Sequence, residues 1–477
     1  MVKRKIGLLL LGAMAVIGVM TGCSEEQEKS SEPVTVSIWN YYNGDQLDAF
    51  NERVEEFNET VGVEQGIIVE SYSQGSIADL ESNLLDSAEE KAGAQELPNI
   101  FSAYADTTYA LDKMGKIVDL EAYLTEEERS EYIENYLSEG DFEGDGSIKI
   151  FPIVKSTEVI CLNETDWEPF AQALGVTYQN LATMEGLIDT AKLYYEWTDA
   201  QTAEEGDGRA LFGRDAMANY MFIGAKQLGC TLFQVEDGKM TLDFNKEVVR
   251  KLWDSYYVPF IKGYFAASGR FRSDDIKIGN IIMYQGSSTS ISFFPAQVVN
   301  DDTECHDIKM KVLPAAKFAE GQNVAVQQGA GMSVTDGDEA EVKASVTFLK
   351  WFTQPENNIQ FSIDAGYLPV TKYANDMKHI EESGFEISDS IKELLEVSID
   401  TVNSNELYTT NAFENGQSAR LVLDYALSDQ ANMDHAIVEE RVGQGMSREE
   451  ACKEFLTDEA FESWYEKTLE ALKEFES

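Results

Sequence analysis

Histidine is almost missing from this chain: His306, His379 and His435 are the only three in 477 residues, and they lie far apart. Cysteine is nearly as sparse beyond Cys23. Cys161, Cys230, Cys305 and Cys452 are widely separated, and no C-x-x-C pair occurs. These shortages leave no His/Cys cluster at metal or redox spacing, so no metal ion and no cofactor is expected. Three disulfide pairings are open to the four cysteines, but a chain this long needs no staples, and isolated buried thiols are expected. Basic residues are short as well, 37 Lys and Arg against 86 Asp and Glu, for a formal net charge of −49. Nucleic-acid binding rests on Lys and Arg neutralising phosphates, so this balance argues against it. There is no G-x-S-x-G, no H-E-x-x-H, no P-loop and no internal repeat. After the N-terminal segment, no apolar run approaches the length of a membrane span.

The N-terminal segment itself is informative. Lys3, Arg4 and Lys5 precede an apolar run over 6–20, followed by Thr21, Gly22 and Cys23. A charged head, about fifteen apolar residues and small residues at the cut describe a secretory signal. The Cys directly after Gly22 makes it resemble a bacterial lipoprotein signal over 1–22, with Cys23 lipidated. "SEEQEKSSEP" then completes a polar tether over 23–33. Loss of Lys3, Arg4 and Lys5 with the signal takes the formal charge to −52. The mature protein is expected on the extracytoplasmic face of the cell membrane, lipid-anchored as in Gram-positive organisms, where such a charge suits solubility under crowding.

With 43% hydrophobic and 11% aromatic residues, the rest is foldable despite its charge, and its length implies two or more domain-sized units. Strand and helix patterns alternate. "VTVSIW" (34–39) has period two, and "QLDAFNERVEEF" places Leu47, Phe50, Val54 and Phe57 on one helical face. "GIIVESY" is a strand, "IADLESNLLDSA" a helix and "IFSAYAD" (100–106) a strand, and the helix of "TTYALDKMGKIVDL" breaks near Gly115. Alternation of this kind predicts an α/β fold with parallel layers. Ligands of such sheets collect at the carboxyl ends of strands, a rim that would hold Asn40, Tyr41, Tyr42, Tyr72, Tyr104 and Asp106. The region 167–265 reads as helix-rich, its aromatics mostly core. A strand at 281–284 ends in a loop of small polar residues, "IKMKVLP" alternates, and 341–352 and the tail read as amphipathic helices.

Two further motifs fail as chemistry. "DFEGDG" (141–146) imitates half of a calcium loop, but position 12, which needs a bidentate Glu, is Pro152. An acidic hairpin turn is the better reading. "GAGMSV" (329–334) lacks the third glycine and the following helix of a dinucleotide loop. A glycosidase needs two facing carboxylates, and no local signature points to such a pair.

"FPIVKSTEVICLN" (151–163) is unusual: two apolar strand-like runs joined by the polar Lys155, Ser156 and Thr157. That segment and three others carry a resemblance. "LPNIFSAYADTTYALDKMGKIVDL", "FPIVKSTEVICLN", "KIGNIIMYQGSS" and "PENNIQFSIDAGYLPVT" occur in the order found in the extracellular solute-binding proteins (family 1) of ABC importers, which include maltose and glycerol-3-phosphate binders. The resemblance implies a two-lobed periplasmic-binding-protein-like fold (class II), with a ligand cleft between hinged lobes. Lobe I would comprise 34–155 and 308–355, and lobe II 156–307 and 356–477. It implies a monomeric receptor that captures a carbohydrate (a mono- or oligosaccharide) and delivers it to the transmembrane subunits of an ABC permease. A glycerol-3-phosphate or glycerophosphodiester binder is the alternative within the family; a surface glycoside hydrolase or a lectin is the alternative outside it.

Carried over position by position, the resemblance puts Ser156 at the crossing strand's ligand-facing hydroxyl and Ser287 or Ser288 after the second-lobe strand. It puts Gly329 at a close backbone approach and turns Tyr367 to the cleft. Asp106 matches the acid that accepts sugar hydroxyls in maltose-type members, and Arg420 in "NGQSARLVLDYAL" the arginine that meets phosphate in glycerol-phosphate members. Tyr41, Tyr42 and Tyr104 complete the expected site.

Overall fold

The computed structural model describes residues 33–299 and 305–476. The expected signal over 1–22, Cys23 and all of the tether but Pro33 lie outside the described residues. In chain order the strands are β1 (Val34–Asn40), β2 (Ile67–Ser73), β3 (Ile100–Ala103), β4 (Glu158–Asn163), β5 (Phe212–Arg214), β6 (Phe233–Glu236) and β7 (Lys239–Leu242). Then come β8 (Met283–Ser287), β9 (Gln297–Val299), β10 (Cys305–Asp307), β11 (Met310–Pro314), β12 (Val324–Val326), β13 (Gly331–Val334) and β14 (Glu406–Tyr408).

Two four-stranded sheets organise two cores. The first has the order β13-β3-β1-β2, with β1 parallel to both neighbours and β13 antiparallel to β3. Its parallel part follows from the alternation of strands with the helices Gly44–Phe57 and Ile77–Ala88. Side chains alternate across β1 as period two requires: Val36 and Ile38 join one buried cluster, Trp39 another. The second sheet has the order β11-β4-β8-β5. All six residues of β4 are buried, with Val159 and Cys161 on one face and Ile160 and Leu162 on the other, so its near-continuous apolar run marks a central strand. Around it pack Trp253, Tyr256 and Tyr257 of the middle region and Phe461 and Trp464 of the tail helix Asp458–Lys473, all core as the periodicity predicts.

The structure corrects several boundaries. β3 stops at Ala103, and the helix Ala105–Lys113 starts at once, so Asp106 sits in a helical first turn and not on a strand. β11 pairs with β4 in the second sheet, although 308–355 was expected in the first lobe. The helix Pro355–Ala365 packs on Gly44–Phe57, and Phe361 and Tyr367 join the first core, although 356–477 was expected in the second lobe. The polar loop after β8 forms a 3-10 helix, Ser288–Phe293. Asp141 caps a tight turn by accepting from the N–H groups of Asp145 and Gly146, but no paired strands flank it as a hairpin would require. Cys161, Cys230 and Cys452 are unpaired and buried as expected, whereas Cys305 is exposed. Among the described residues, no helix is long and apolar enough to cross a membrane.

Along 151–163 the chain passes from the first core to the second. Phe151, Ile153 and Val154 belong to the first core, Val159 onwards to the second. Three chain passages meet there. Lys155 exchanges both backbone hydrogen bonds with Leu368 (3.0 and 2.7 Å), and Ser156 does so with Gln328 (2.8 and 3.0 Å). The Thr157 hydroxyl donates to the Val326 carbonyl at 2.9 Å. Lys155, 0% exposed, donates its ammonium to Glu139 and to the Gly329 carbonyl. Replacing Glu139 by Ala strands that ammonium, and we expect a loss of ~3–5 kcal/mol of stability. The Glu139→Leu/Lys155→Met double variant removes both charges and loses far less; urea unfolding of the two variants checks this.

Candidate ligand-binding cleft

Between the two sheets lies a cavity of about 1710 Å³, joined to a smaller one of about 230 Å³ through shared walls at Ile77, Tyr104, Gln328 and Gly329. Its floor is built from chain ends that the fold brings together: Tyr41 after β1, Tyr104 after β3, Ser156 on the crossing and Gly329 before β13. Parallel strands release their chains at one edge, which places β1 and β3 side by side there.

The first-lobe wall is a tyrosine cluster. The side chains of Tyr104, Tyr41 and Tyr367 are clustered, and burial raises each hydroxyl well above the usual phenol range. Tyr367 is held by a near-parallel Phe361 ring, 6.1 Å away at 13°. Tyr42 does not reach the cavity. It is 1% exposed and packs on Phe50, Phe361 and Tyr367, because the chain turns after Asn40 and sends Tyr41 and Tyr42 to opposite sides. Tyr72 is exposed, but bonds Glu70 on its own strand and lines neither cavity.

At the crossing, the Ser287 hydroxyl donates to the Ser156 hydroxyl at 3.4 Å, and both side chains line the larger cavity. Ser288 does not. It is buried, its N–H donates to Thr157, and its hydroxyl has no protein partner. Gly329 has φ +92°, and a Cβ there would stand 3.1 Å from the Lys155 Cα, so the residue is needed for contact with the crossing strand.

The second-lobe wall carries charge that local sequence does not reveal. Glu158, at the start of β4, accepts from Arg214 (2.8 Å), Asn219 (3.0 Å) and Gln285 (2.8 Å), all buried. Asn219 accepts in turn from Arg420, whose guanidinium also lies over the Phe222 ring at 5.7 Å. Asp215 lines the larger cavity, and burial pushes its carboxyl up to about 6 against the pull of Arg272. Asp106 and Arg420 both line the smaller cavity. Phe271, Phe293 and Tyr425 face the larger one at 54%, 55% and 58% exposure. Sequence reasoning missed all three, although an aromatic between Arg270 and Arg272 with no apolar periodicity is a usable signal. Of the ten expected residues, the structure thus brings Tyr41, Tyr104, Asp106, Ser156, Ser287, Gly329, Tyr367 and Arg420 to the cleft, and leaves Tyr42 and Ser288 in the core. Among the described residues, no group of His, Cys, Asp and Glu is arranged to hold a metal ion.

Two lobes linked by side-by-side chain crossings, with a polar and aromatic cleft between them, define a solute-capturing protein. The chain belongs to the bacterial extracellular solute-binding protein family, whose model matches residues 52–385. Its fold is similar to that of the cyclic alpha-maltosyl-1,6-maltose binding protein from Arthrobacter globiformis (TM-score 0.65, 16% identity, 92% of this chain and 99% of that one). It is also similar to UgpB from Mycobacterium tuberculosis, solved in complex with glycerophosphocholine (0.66, 15%, 93% and 99%). The GacH receptor of Streptomyces glaucescens, solved unliganded and with acarbose, is a third such neighbour (0.63, 15%, 93% and 100%). No curated protein matches by sequence.

Gly329→Ala forces a left-handed non-glycine backbone into contact with the crossing strand. We expect a stability loss of ~1–3 kcal/mol in chemical unfolding, together with weaker ligand binding.

Proposed function

We propose that this protein is the substrate-binding lipoprotein of an ABC importer and that it captures a carbohydrate. The observation that carries this reading is the make-up of the cleft. One wall offers clustered hydroxyls from Tyr41, Tyr104, Tyr367, Ser156 and Ser287, and the other exposes the rings of Phe271, Phe293 and Tyr425. Sugars present both faces of that chemistry, hydroxyls that need hydrogen-bond partners and apolar ring faces that stack on aromatics. The binding proteins among its structural neighbours, which take maltose-type sugars and acarbose, support the same class. Ser156, Tyr367 and the three exposed rings are the residues assigned to ligand contact. Closure around the ligand follows from its higher affinity for the closed form, and the closed protein meets the transmembrane subunits of the permease as a monomer. Cys23 carries the lipid that holds the protein to the extracytoplasmic face. The protein binds its solute without altering it.

A second reading, a glycerophosphodiester ligand, is favoured by Arg420 at the smaller cavity and by the glycerophosphocholine complex of UgpB. The net charge of the chain and Asp106 beside Arg420 weigh against an anionic solute.

A panel of mono- and oligosaccharides plus glycerophosphocholine, followed by thermal shift and product analysis, separates the readings. We expect one carbohydrate to stabilise the protein by ~2.7 kcal/mol at a hundred times its Kd, with no product formed. Turnover of any panel member overturns the receptor assignment. Phe271→Ala, Phe293→Ala and Tyr425→Ala remove exposed rings. Each is expected to leave the melting temperature of the free protein unchanged and to weaken carbohydrate binding ~3- to 10-fold in calorimetry.

A further inference from the structure

Away from the hinge, the lobes touch at Asp106. This residue lies in the first turn of the helix Ala105–Lys113, which leads out of the first sheet. Opposite it stands the start of the 28-residue helix Gly416–Gly443, anchored in the second core by Ala419, Leu423 and Leu427. The Asp106 carboxyl lies beside the backbone of Phe413, itself a second-core residue. A Cβ on Gly416 would stand 2.3 Å from Asp106 Oδ1, so any side chain there would push the carboxyl away from the helix start. Arg420, one turn further along, is the opposite charge that Asp106 faces. The helix N-terminus adds its own unpaired N–H groups and partial positive charge. Arg420 is not free to follow a ligand, because it is bonded through Asn219 to Glu158, two residues beyond Ser156. The contact is thus tied back to the crossing strand.

The geometry points to Asp106 as a positioning residue of the capture cycle, its carboxyl in the protonated form serving as the latch by which the first lobe holds the second-lobe helix where the two meet. The inference rests on the receptor reading above, since it needs lobes that open and close. It assigns the carboxyl to the protein instead of to sugar hydroxyls.

The latch also couples closure to a proton. Around Asp106, Arg420 faces it from the second lobe and Glu81 from the helix Ile77–Ala88, while Tyr104, on the preceding turn, faces Arg420. Glu139 lines the same small cavity but is engaged by Lys155, and Asp424 faces Arg420 from the next helical turn. Burial dominates this balance and pushes Asp106 up to about 7 in this structure, where the lobes meet at it, with Arg420 opposing. In an open, hydrated cleft an Asp returns to about 4. The value at the lobe contact lies above that of a hydrated carboxyl, so the contact is favoured most at low pH, and the gain is lost as pH rises through about 7.

Spin labels on the exposed Cys305 and on Glu64→Cys in the first lobe report the interlobe distance in ligand-free protein. We expect the ratio of short-distance to long-distance populations to fall at least tenfold between pH 5 and pH 8. Asp106→Asn is expected to flatten that profile, and Gly416→Ala to shift the distribution toward the long distance at every pH. A wild-type profile that Asp106→Asn leaves unaltered overturns the latch. Distances that respond to saturating maltotriose or glycerophosphocholine, yet not to pH or to Asp106→Asn, overturn the latch and leave the receptor reading standing. Distances that respond to nothing overturn both.

Discussion

Lys155 carries its charge into a place without water, and the structure holds it there with Glu139 on one side and the Gly329 carbonyl on the other. A buried ammonium is tolerable only when its partners are fixed, because desolvation costs several kcal/mol that the pairing must offset. That requirement draws three stretches of chain to a single point: 155–156 on the crossing, 328–329 on the return passage, and Leu368 of the late element. Everything the cleft offers is measured from this junction. Ser156 and Gly329 are its immediate neighbours, and Tyr367 precedes the residue that pairs with Lys155.

From the junction the two walls differ in physical character. The first lobe presents clustered tyrosine hydroxyls, kept neutral at any physiological pH by burial. The second presents a polar network centred on Glu158 and, further out, rings left open to solvent. A preorganised polar floor with apolar platforms at its edge orders the ligand with little loss of protein entropy, which is how moderate, reversible affinity is reached. The ion pairs of that network and of the junction satisfy the protein itself, so most charge in the cleft is already spent before a solute arrives.

Much of this was legible in the residues. Period two in 34–39 and period 3.6 in 46–57 predict β1 and its following helix, and the apolar run of 158–163 predicts a buried strand. The polar break at 155–157 marks the crossing because such residues cannot lie mid-strand in a core without partners. Where reading failed, the cause was competition at short range. Tyr41 and Tyr42 are adjacent and alike, and only the turn after Asn40 decides which becomes core. Ser287 and Ser288 differ in the same way, the second being drawn inward by its bond to Thr157. Phe271, Phe293 and Tyr425 were missed because a ring's exposure depends on what the rest of the chain leaves uncovered.

The sequence by itself determined the alternation of strands and helices and the polar break in the apolar run of 151–163. These are properties of neighbouring residues, set by side-chain periodicity and local polarity. Only the tertiary structure decided that β11 joins the second sheet, that the helix Pro355–Ala365 joins the first lobe, and that Asp106 meets the start of Gly416–Gly443 across more than three hundred residues. Strand partners and charge partners are chosen by which surfaces must be buried together, and that choice is made by the whole chain at once.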